Sequence, residues 1–262
     1  MINSLFTAKT GMEAMQTQLD VISHNLANVS TTGYKRASAQ FQDLIYQNLR
    51  QAGGQTTEQT QHPTGLDIGL GTKVIGTTRD FKAGSQQLTS NAFDVAISGS
   101  GFFEIQMPDG TIAYTRDGTF KPDANGQLVN ASGYPLAAGI SIPTSPAPAS
   151  VTIGADGVVS ITTAGNPAPQ AVGTLMLSQF VNPAGLQPVG ENLYRESAAS
   201  GPPQQGTPGT NGLGTLQQGY LEASNVNVVQ ELVTMIQTQR AYEMNSKAIQ
   251  TSDQMLAKLA QL

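Results

Sequence analysis

Asn227-Val228-Val229-Gln230-Glu231-Leu232-Val233-Thr234-Met235-Ile236 opens a closing stretch, residues 220–262, that holds neither Gly nor Pro after position 219. Asn227 followed three positions later by Gln230 is an Asn form of the capping box, in which a side-chain oxygen takes up free N–H groups of the first helical turn. Glu231 in the first turn and Lys258 near the last stand where the helix dipole favours them. The stretch reads as one helix from Val228 onward, about 50 Å long at 1.5 Å per residue. That is long for a helix of a globular domain and suits a coiled coil or an assembly element.

The apolar positions along it do not settle into one seam. Val228, Leu232, Met235, Tyr242, Ile249 and Leu256 alternate by threes and fours, interrupted by Gln239, Ser246 and Asp253. Met244, Ala248, Met255, Leu259 and Leu262 flank that line, and Val229 and Ile236 add a third edge. One partner helix would require one narrow seam, so this spread implies several neighbours.

The amino-terminal segment mirrors it. Leu5, Ala8, Met12, Met15, Leu19, Ile22 and Leu26 make an a/d seam over three heptads, with Asn3 or Ser4 as possible caps. Gly11 is its one breaker, at about 1 kcal/mol relative to Ala. The simplest arrangement is a coiled-coil stalk built from the chain's two ends, with everything else inserted between its arms.

The insert is β-rich. Strand candidates are residues 74–78, 102–107, 111–115 and 172–180, and tight turns are written at Pro108-Asp109-Gly110, Arg116-Asp117-Gly118 and Asp123-Ala124-Asn125-Gly126. Residues 51–64 are polar and read locally as loop or linker, although long for one. Residues 143–148 and 200–214 read as exposed spacers. The fold class is mixed α/β (α+β), with terminal helices at 1–30 and 222–262, a connector at 31–70 and an antiparallel or rolled β-domain at 71–221.

Bulk composition narrows the function. Charged residues are 12% of the chain, about half the usual share, and the net charge is -5 with no basic block, which argues against nucleic acid. A low-charge, amide-rich surface suits a protein covered by copies of itself. There is no Cys, hence no disulfide framework. No run approaches the apolar length of a membrane span, and the first residues do not read as a cleavable signal peptide.

Nothing in the sequence requires catalysis or a cofactor. His24 and His62 are the only histidines, and no clustered metal-ligand motif includes them. Asp109, Asp117, Asp123 and Asp156 stand in turn sequences, where the side chain bonds its own backbone. Gly99-Ser100-Gly101 lacks the rest of a dinucleotide loop, and no nucleophile elbow is present. Tyr34-Lys35-Arg36 anchors the connector, and Arg116 is placed for a local or inter-subunit pair with Asp117.

Three segments carry a family resemblance. Asn25-Leu26-Ala27-Asn28-Val29-Ser30-Thr31-Thr32-Gly33-Tyr34-Lys35 resembles the amino-terminal signature of bacterial flagellar rod and hook axial proteins. Gly101-Phe102-Phe103 with Tyr114-Thr115-Arg116-Asp117-Gly118-Thr119-Phe120 is similar to the central one, and Gly219-Tyr220-Leu221-Glu222-Ala223-Ser224-Asn225-Val226-Asn227 to the carboxy-terminal one. The resemblance covers essentially the whole chain and is strongest to the distal-rod branch. Proximal-rod or hook-type subunits are the nearest alternative. A secreted adhesin, a phage component and a wall hydrolase are more remote.

The resemblance implies an open helical homopolymer in the basal body, crossing the periplasm, exported without cleavage by the flagellar type III apparatus. Implied partners are other copies, proximal rod proteins, hook protein and the rings of the peptidoglycan and outer-membrane layers. Membrane insertion is not implied. The expected assembly interface is Leu5, Met12, Met15, Leu19, Ile22 and Leu26 on one helix, with Val228, Leu232, Met235, Tyr242, Ile249, Met255, Leu256 and Leu259 on the other. Residues 51–65 resemble an insertion that stiffens the distal rod, so Gln51, Gln55, Glu58, His62, Pro63 and Gly65 are the expected stiffening segment.

Overall fold

The computed structural model of the chain describes residues 2–53, 55–57, 60–61, 63–143, 148–163 and 166–259. Contacts divide it into two units. One comprises residues 1–27, 37–78 and 227–262, and the other residues 28–36 and 79–226. The stretch expected to be a single connector, 31–70, is therefore split, residues 31–36 joining one unit and 37–70 the other.

The first unit holds both long helices, α1 (Ile2–Ala27) and α2 (Val228–Leu259). Asn227 caps α2, its Oδ1 accepting from the backbone N–H groups of Val229 and Gln230 at 3.0 and 3.2 Å. α1 starts at Ile2, so Asn3 and Ser4 lie inside its first turn rather than capping it. The helices run antiparallel, since Asn25 reaches Glu231 while Gly11 faces Asn245.

Residues 37–79, which take in most of the expected connector and the start of the expected β-domain, are a β-ribbon. Its strands are β1 (Ala37–Asp43), β2 (Tyr46–Arg50), β3 (Gln55–Thr57), β4 (Thr60–Gln61), β5 (Leu66–Gly69) and β6 (Thr72–Arg79). They pair as nested couples, β1 with β6, β2 with β5 and β3 with β4. Leu44 N–H donates to Gly71 O at 2.8 Å between the outer couples. The polar stretch read as loop or linker thus contains an antiparallel hairpin, with Gln55 opposite Gln61 and Thr57 opposite Thr60. Its ladder satisfies the backbone without an apolar face, and for that reason hydrophobic alternation does not announce it.

The second unit is the β-domain. Its strands are β7 (Gln86–Leu88), β8 (Val95–Ser98), β9 (Phe102–Gln106), β10 (Ile112–Thr115), β11 (Lys121–Pro122), β12 (Leu128–Val129), β13 (Pro148–Ile153), β14 (Val158–Thr163), β15 (Asn166–Thr174) and β16 (Leu177–Gln179). β17 (Gln187–Gly190), β18 (Leu193–Arg195), β19 (Gln204–Gly206), β20 (Thr215–Gln218) and β21 (Tyr220–Glu222) complete it. The main sheet runs β17-β18-β10-β9-β16-β19, beside a three-stranded sheet β13-β14-β15 and smaller pairs. Phe103, Ile105, Phe120, Val159, Leu175 and Leu177 are among the buried residues of the main core. Phe102, Tyr114, Phe180 and Tyr194 form a second, aromatic cluster, with Tyr114 and Phe180 edge to face at 4.7 Å.

Two sequence expectations fail here for one reason, long-range pairing. The strand expected over 172–180 breaks at Leu175 and Met176, and its halves join different sheets. Leu175 N–H donates to Gly157 O at 2.8 Å where the chain crosses over. The spacer expected over 200–214 supplies edge strand β19, paired with β16, and buries Ser200 and Leu213. Of the spacer expected at 143–148, residues 144–147 lie outside the described residues, and Pro148 begins β13.

The turn aspartates behave as turn residues. Asp109, Asp117, Asp123 and Asp156 each accept the backbone N–H two residues on, at 2.8–3.2 Å.

Candidate assembly surfaces and the buried charge centre

The two helices meet through small and polar side chains. On α1, Ala8, Ala14, Ile22 and Asn25 are buried, while buried Thr10 faces the ribbon and accepts from Thr72 N–H at 3.4 Å. On α2 the buried positions are Glu231, Thr238 and Ser252, with half-buried Asn245 completing a seven-residue spacing. A Cβ at Gly11 would stand 2.9 Å from Asn245 Nδ2. The glycine read as a breaker in α1 is therefore the point of close approach. Asn25 fixes one end of the pair. Its amide exchanges hydrogen bonds with Ala37 N–H and C=O at 2.9 and 2.8 Å, as a strand would, and also donates to Glu231 at 3.4 Å. The missed signal was the heptad of Glu231, Thr238, Asn245 and Ser252, which an apolar template passes over.

Most of the expected interface residues consequently lie outside this contact. Ile22 is buried, while Leu5, Met12, Met15, Leu19 and Leu26 are half-buried. On α2, Val228, Leu232, Tyr242, Met255 and Leu256 are exposed, from 36% at Leu256 to 50% at Met255. Met235 and Ile249 are half-buried, and the side chain of Leu259 lies outside the described residues. Val229, Val233, Ile236 and Met244 are more exposed still or comparably so, at 71%, 49%, 52% and 66%. Val233 was not singled out by the sequence. A helix whose apolar stripes face away from its intramolecular partner is built to be covered by something else.

The β-ribbon repeats the pattern. Ile45, Tyr46, Leu49, Leu66 and Ile68 are exposed. Of the expected stiffening residues, Gln51 and Pro63 are exposed, Gly65 is half-buried, and Gln55 lies in β3. Glu58 and His62 lie outside the described residues. The ribbon is tied to α1 by Asn3 Nδ2 donating to Gln47 Oε1 at 3.1 Å.

The three signature segments converge inside the β-domain. Lys35 Nζ lies 2.5 Å from Glu222 Oε1, and Arg116 Nη1 lies 3.1 Å from Glu222 Oε2. Arg116 therefore pairs with Glu222 and not with its neighbour Asp117. All three side chains are at most 3% exposed. Backbone groups complete the shell. Gly84 N–H donates to Glu222 Oε1 at 2.8 Å, Lys35 donates to Lys82 O at 2.7 Å, and Arg116 Nη2 to Gly99 O at 2.7 Å. Burial pushes the Lys35 and Arg116 pKa values below their ordinary range, and the Glu222 carboxylate draws both partly back.

Neighbouring residues lock the same centre. Gly33 N–H donates to Glu222 O at 2.8 Å. Gly33 has φ +67°, and a Cβ there would meet backbone of Arg116 and Asp117 at 2.7–2.8 Å, so both backbone conformation and space require glycine. Asn225 accepts from Arg36 N–H at 2.7 Å and donates to Asp80 O at 2.8 Å. The Arg79 guanidinium lies over Tyr34 and Tyr194, 5.7 and 5.6 Å from the ring centroids.

Among the described residues no group of three or more His, Cys, Asp or Glu could hold a metal, and no helix is long and apolar enough to cross a membrane.

Tyr114 offers a titration check. Its hydroxyl is pushed up to about 12, first by burial and then by the carboxylates of Glu104 and Glu196. A phenol raised above its ordinary value near 10 contributes stability that is complete below that value and disappears as pH climbs toward 12. Tyrosinate absorbance should therefore show part of the signal from the seven tyrosines withheld until strongly alkaline pH. Tyr114→Phe should reduce that late part, to which Tyr194, also pushed up by burial, and Tyr46, pushed up by its hydrogen bond to Asp43, contribute as well. A Tyr114→Phe curve that loses only early-titrating signal would contradict this.

Comparison with known proteins agrees with the three signatures. Residues 5–35 match the family described as flagella basal body rod protein, 96–161 the flagellar hook protein FlgE/F/G D1 domain, and 217–262 the flagellar basal body rod FlgEFG protein C-terminal family. Flagellar basal-body rod protein FlgG of Buchnera aphidicola subsp. Schizaphis graminum is 55% identical over 262 residues, covering both chains in full. The chain belongs to the flagellar basal-body rod protein FlgG family. The FlgG of Borreliella burgdorferi is 49% identical over 98% of this chain and 97% of its own. FlgF of Caulobacter vibrioides, a rod protein of the same kind, is 33% identical over 94% of this chain and 92% of its own.

Proposed function

We propose that this FlgG-family chain is the subunit of the distal rod, polymerising into a rigid hollow helical shaft. The shaft passes motor torque across the periplasm to the hook, and its channel carries exported subunits. End-to-end identity with rod proteins supports a structural role rather than an enzymatic one. The observation that carries the assembly reading is the exposed apolar surface of α2, left bare by its own antiparallel partner. Covering Val228, Val229, Leu232, Val233, Ile236 and Met244 would contribute on the order of 10 kcal/mol per copy before ordering and association costs. A contact between unlike faces, repeated by a screw operation, produces an open filament.

In this reading α1 and α2 line the inner tube and the β-domain forms the outer wall. The partners are other copies, proximal rod subunits below, hook subunits above, the surrounding peptidoglycan-layer and outer-membrane rings, and the type III export apparatus. The β-ribbon lies between neighbouring copies and stiffens the array, because it leaves Ile45, Tyr46, Leu49, Leu66 and Ile68 exposed for them to cover.

Concentrated protein, seeded with authentic shaft fragments and imaged by electron microscopy, should form hollow tubes. Persistent monomer under those conditions would overturn the reading. Removing residues 51–65 should leave tubes that bend several-fold more readily in thermal-fluctuation images. Unchanged curvature statistics would show that the segment does not stiffen the shaft.

A further inference from the structure

We propose that the aromatic face of the main β-sheet carries an acidic trough that takes a lysine or arginine side chain from a second copy of this chain. The proposal rests on the polymerising role above and adds a specific contact to it.

Three cavities form the trough, of about 240, 410 and 430 Å³. Ile112 is shared by the first and second, and Glu196 by the second and third. They adjoin one another along β10, beside β9, β18 and β19.

Its floor holds a buried carboxylate, Glu104, and a buried tyrosine, Tyr114. Glu104 is 7% exposed, and its carboxylate is held only by neutral groups. These are the Ser178 hydroxyl and the Gln205 amide, the latter at 2.7 and 2.8 Å. Among the described residues no cation pairs with it. Tyr114 stands opposite Glu104 in the β9–β10 register and is 2% exposed. Tyr114 also lines the second cavity. The buried carboxylate of Glu222, by contrast, is matched by the two cations Lys35 and Arg116. Glu104 lacks such a match, and an unmatched buried charge is unfavourable.

The walls select the occupant. Ile112 and Pro203 offer apolar surface along which a long aliphatic stem can lie, with its charged tip at Glu104 and Tyr114. Arg195 borders the trough but is engaged by Asp109 at 3.1 Å. A divalent metal is disfavoured because no three acidic or histidine ligands gather among the described residues. The chain supplies the complementary knob, since Lys73 and Lys121 are exposed and have no ion pair among the described residues. A screw-related neighbour presents a different face to the trough, so knob and hole lie on separate parts of each copy.

The test places a photo-crosslinking amino acid at Ile112 of the full-length chain, which is then polymerised on shaft fragments. Mass spectrometry should find links to a lysine- or arginine-containing peptide of a second copy. Glu104→Gln should raise the concentration needed for polymerisation by roughly tenfold and flatten its salt dependence. Ile112→Trp, at a 38% exposed position, fills the trough from outside and should weaken assembly alike, covering the case where the Glu104 variant misfolds. Normal tubes with no link at Ile112, or links only to a different protein, would overturn the trough while leaving the shaft reading intact. Failure of the parent chain to polymerise would overturn both.

Discussion

Glu222→Ala should unfold the β-domain more readily than any other single side-chain truncation in it. The substitution leaves Lys35 and Arg116, at most 3% exposed, with no counter-charge. Removing one partner of a buried ion pair costs about 3–5 kcal/mol, and here two cations are stranded by one change. For a unit of this size that lowers the melting temperature by roughly 10 °C. Lys35→Met should cost less, because the Arg116–Glu222 pair remains balanced and the methionine fills much of the lysine's space. Differential scanning calorimetry of the three proteins is the measurement. A Glu222→Ala midpoint near that of the parent, or below-parent midpoints ranked in the opposite order, would refute the charge centre as the keystone of this unit.

Leu232→Asp should have the opposite profile, leaving the monomer intact and preventing assembly. Leu232 is 42% exposed on α2, so a carboxylate there stays hydrated in the isolated chain and changes its stability by no more than about 0.5 kcal/mol. In a polymer the same carboxylate would be forced into an apolar contact, at several kcal/mol if unrelieved. Because each copy repeats the contact, the effect is carried into every joint of the shaft. Ile22→Asp provides the contrast. Ile22 is 1% exposed, and charging it should damage the helical unit itself before any assembly. Thermal unfolding of the monomers and electron microscopy of seeded tubes separate the two. Tubes from Leu232→Asp at parental concentrations would remove α2's outer stripe from the interface.

The helices were legible because their determinants are local. Asn227 caps α2 as its sequence indicates, and the apolar repeat of α1 survives as a half-buried stripe. Their contact was harder to read, because it is made by Ala8, Gly11, Thr238 and Ser252, which carry little hydropathy. The strands at residues 55–61 and 204–206 escaped notice for a related reason. They are built from Gln, Thr and Gly, so neither alternation nor apolar richness marks them strongly. The charge centre could not be seen at all from spacing. Lys35 and Arg116 lie 187 and 106 positions from Glu222, and only the fold brings them together. The motifs indicated that these residues belong to signatures, but gave no sign that the signatures touch one another.

That distance in sequence orders events in time. When the chain emerges amino end first, from a ribosome or a narrow conduit, Lys35 and Arg116 appear long before the carboxylate that neutralises them. Until residue 222 arrives, closing the domain would mean desolvating two positive charges for no return, and the incomplete chain remains pliable. Glu222 follows Arg116 by 106 positions and Lys35 by 187, so the domain can commit to its final shape only once residue 222 has come through.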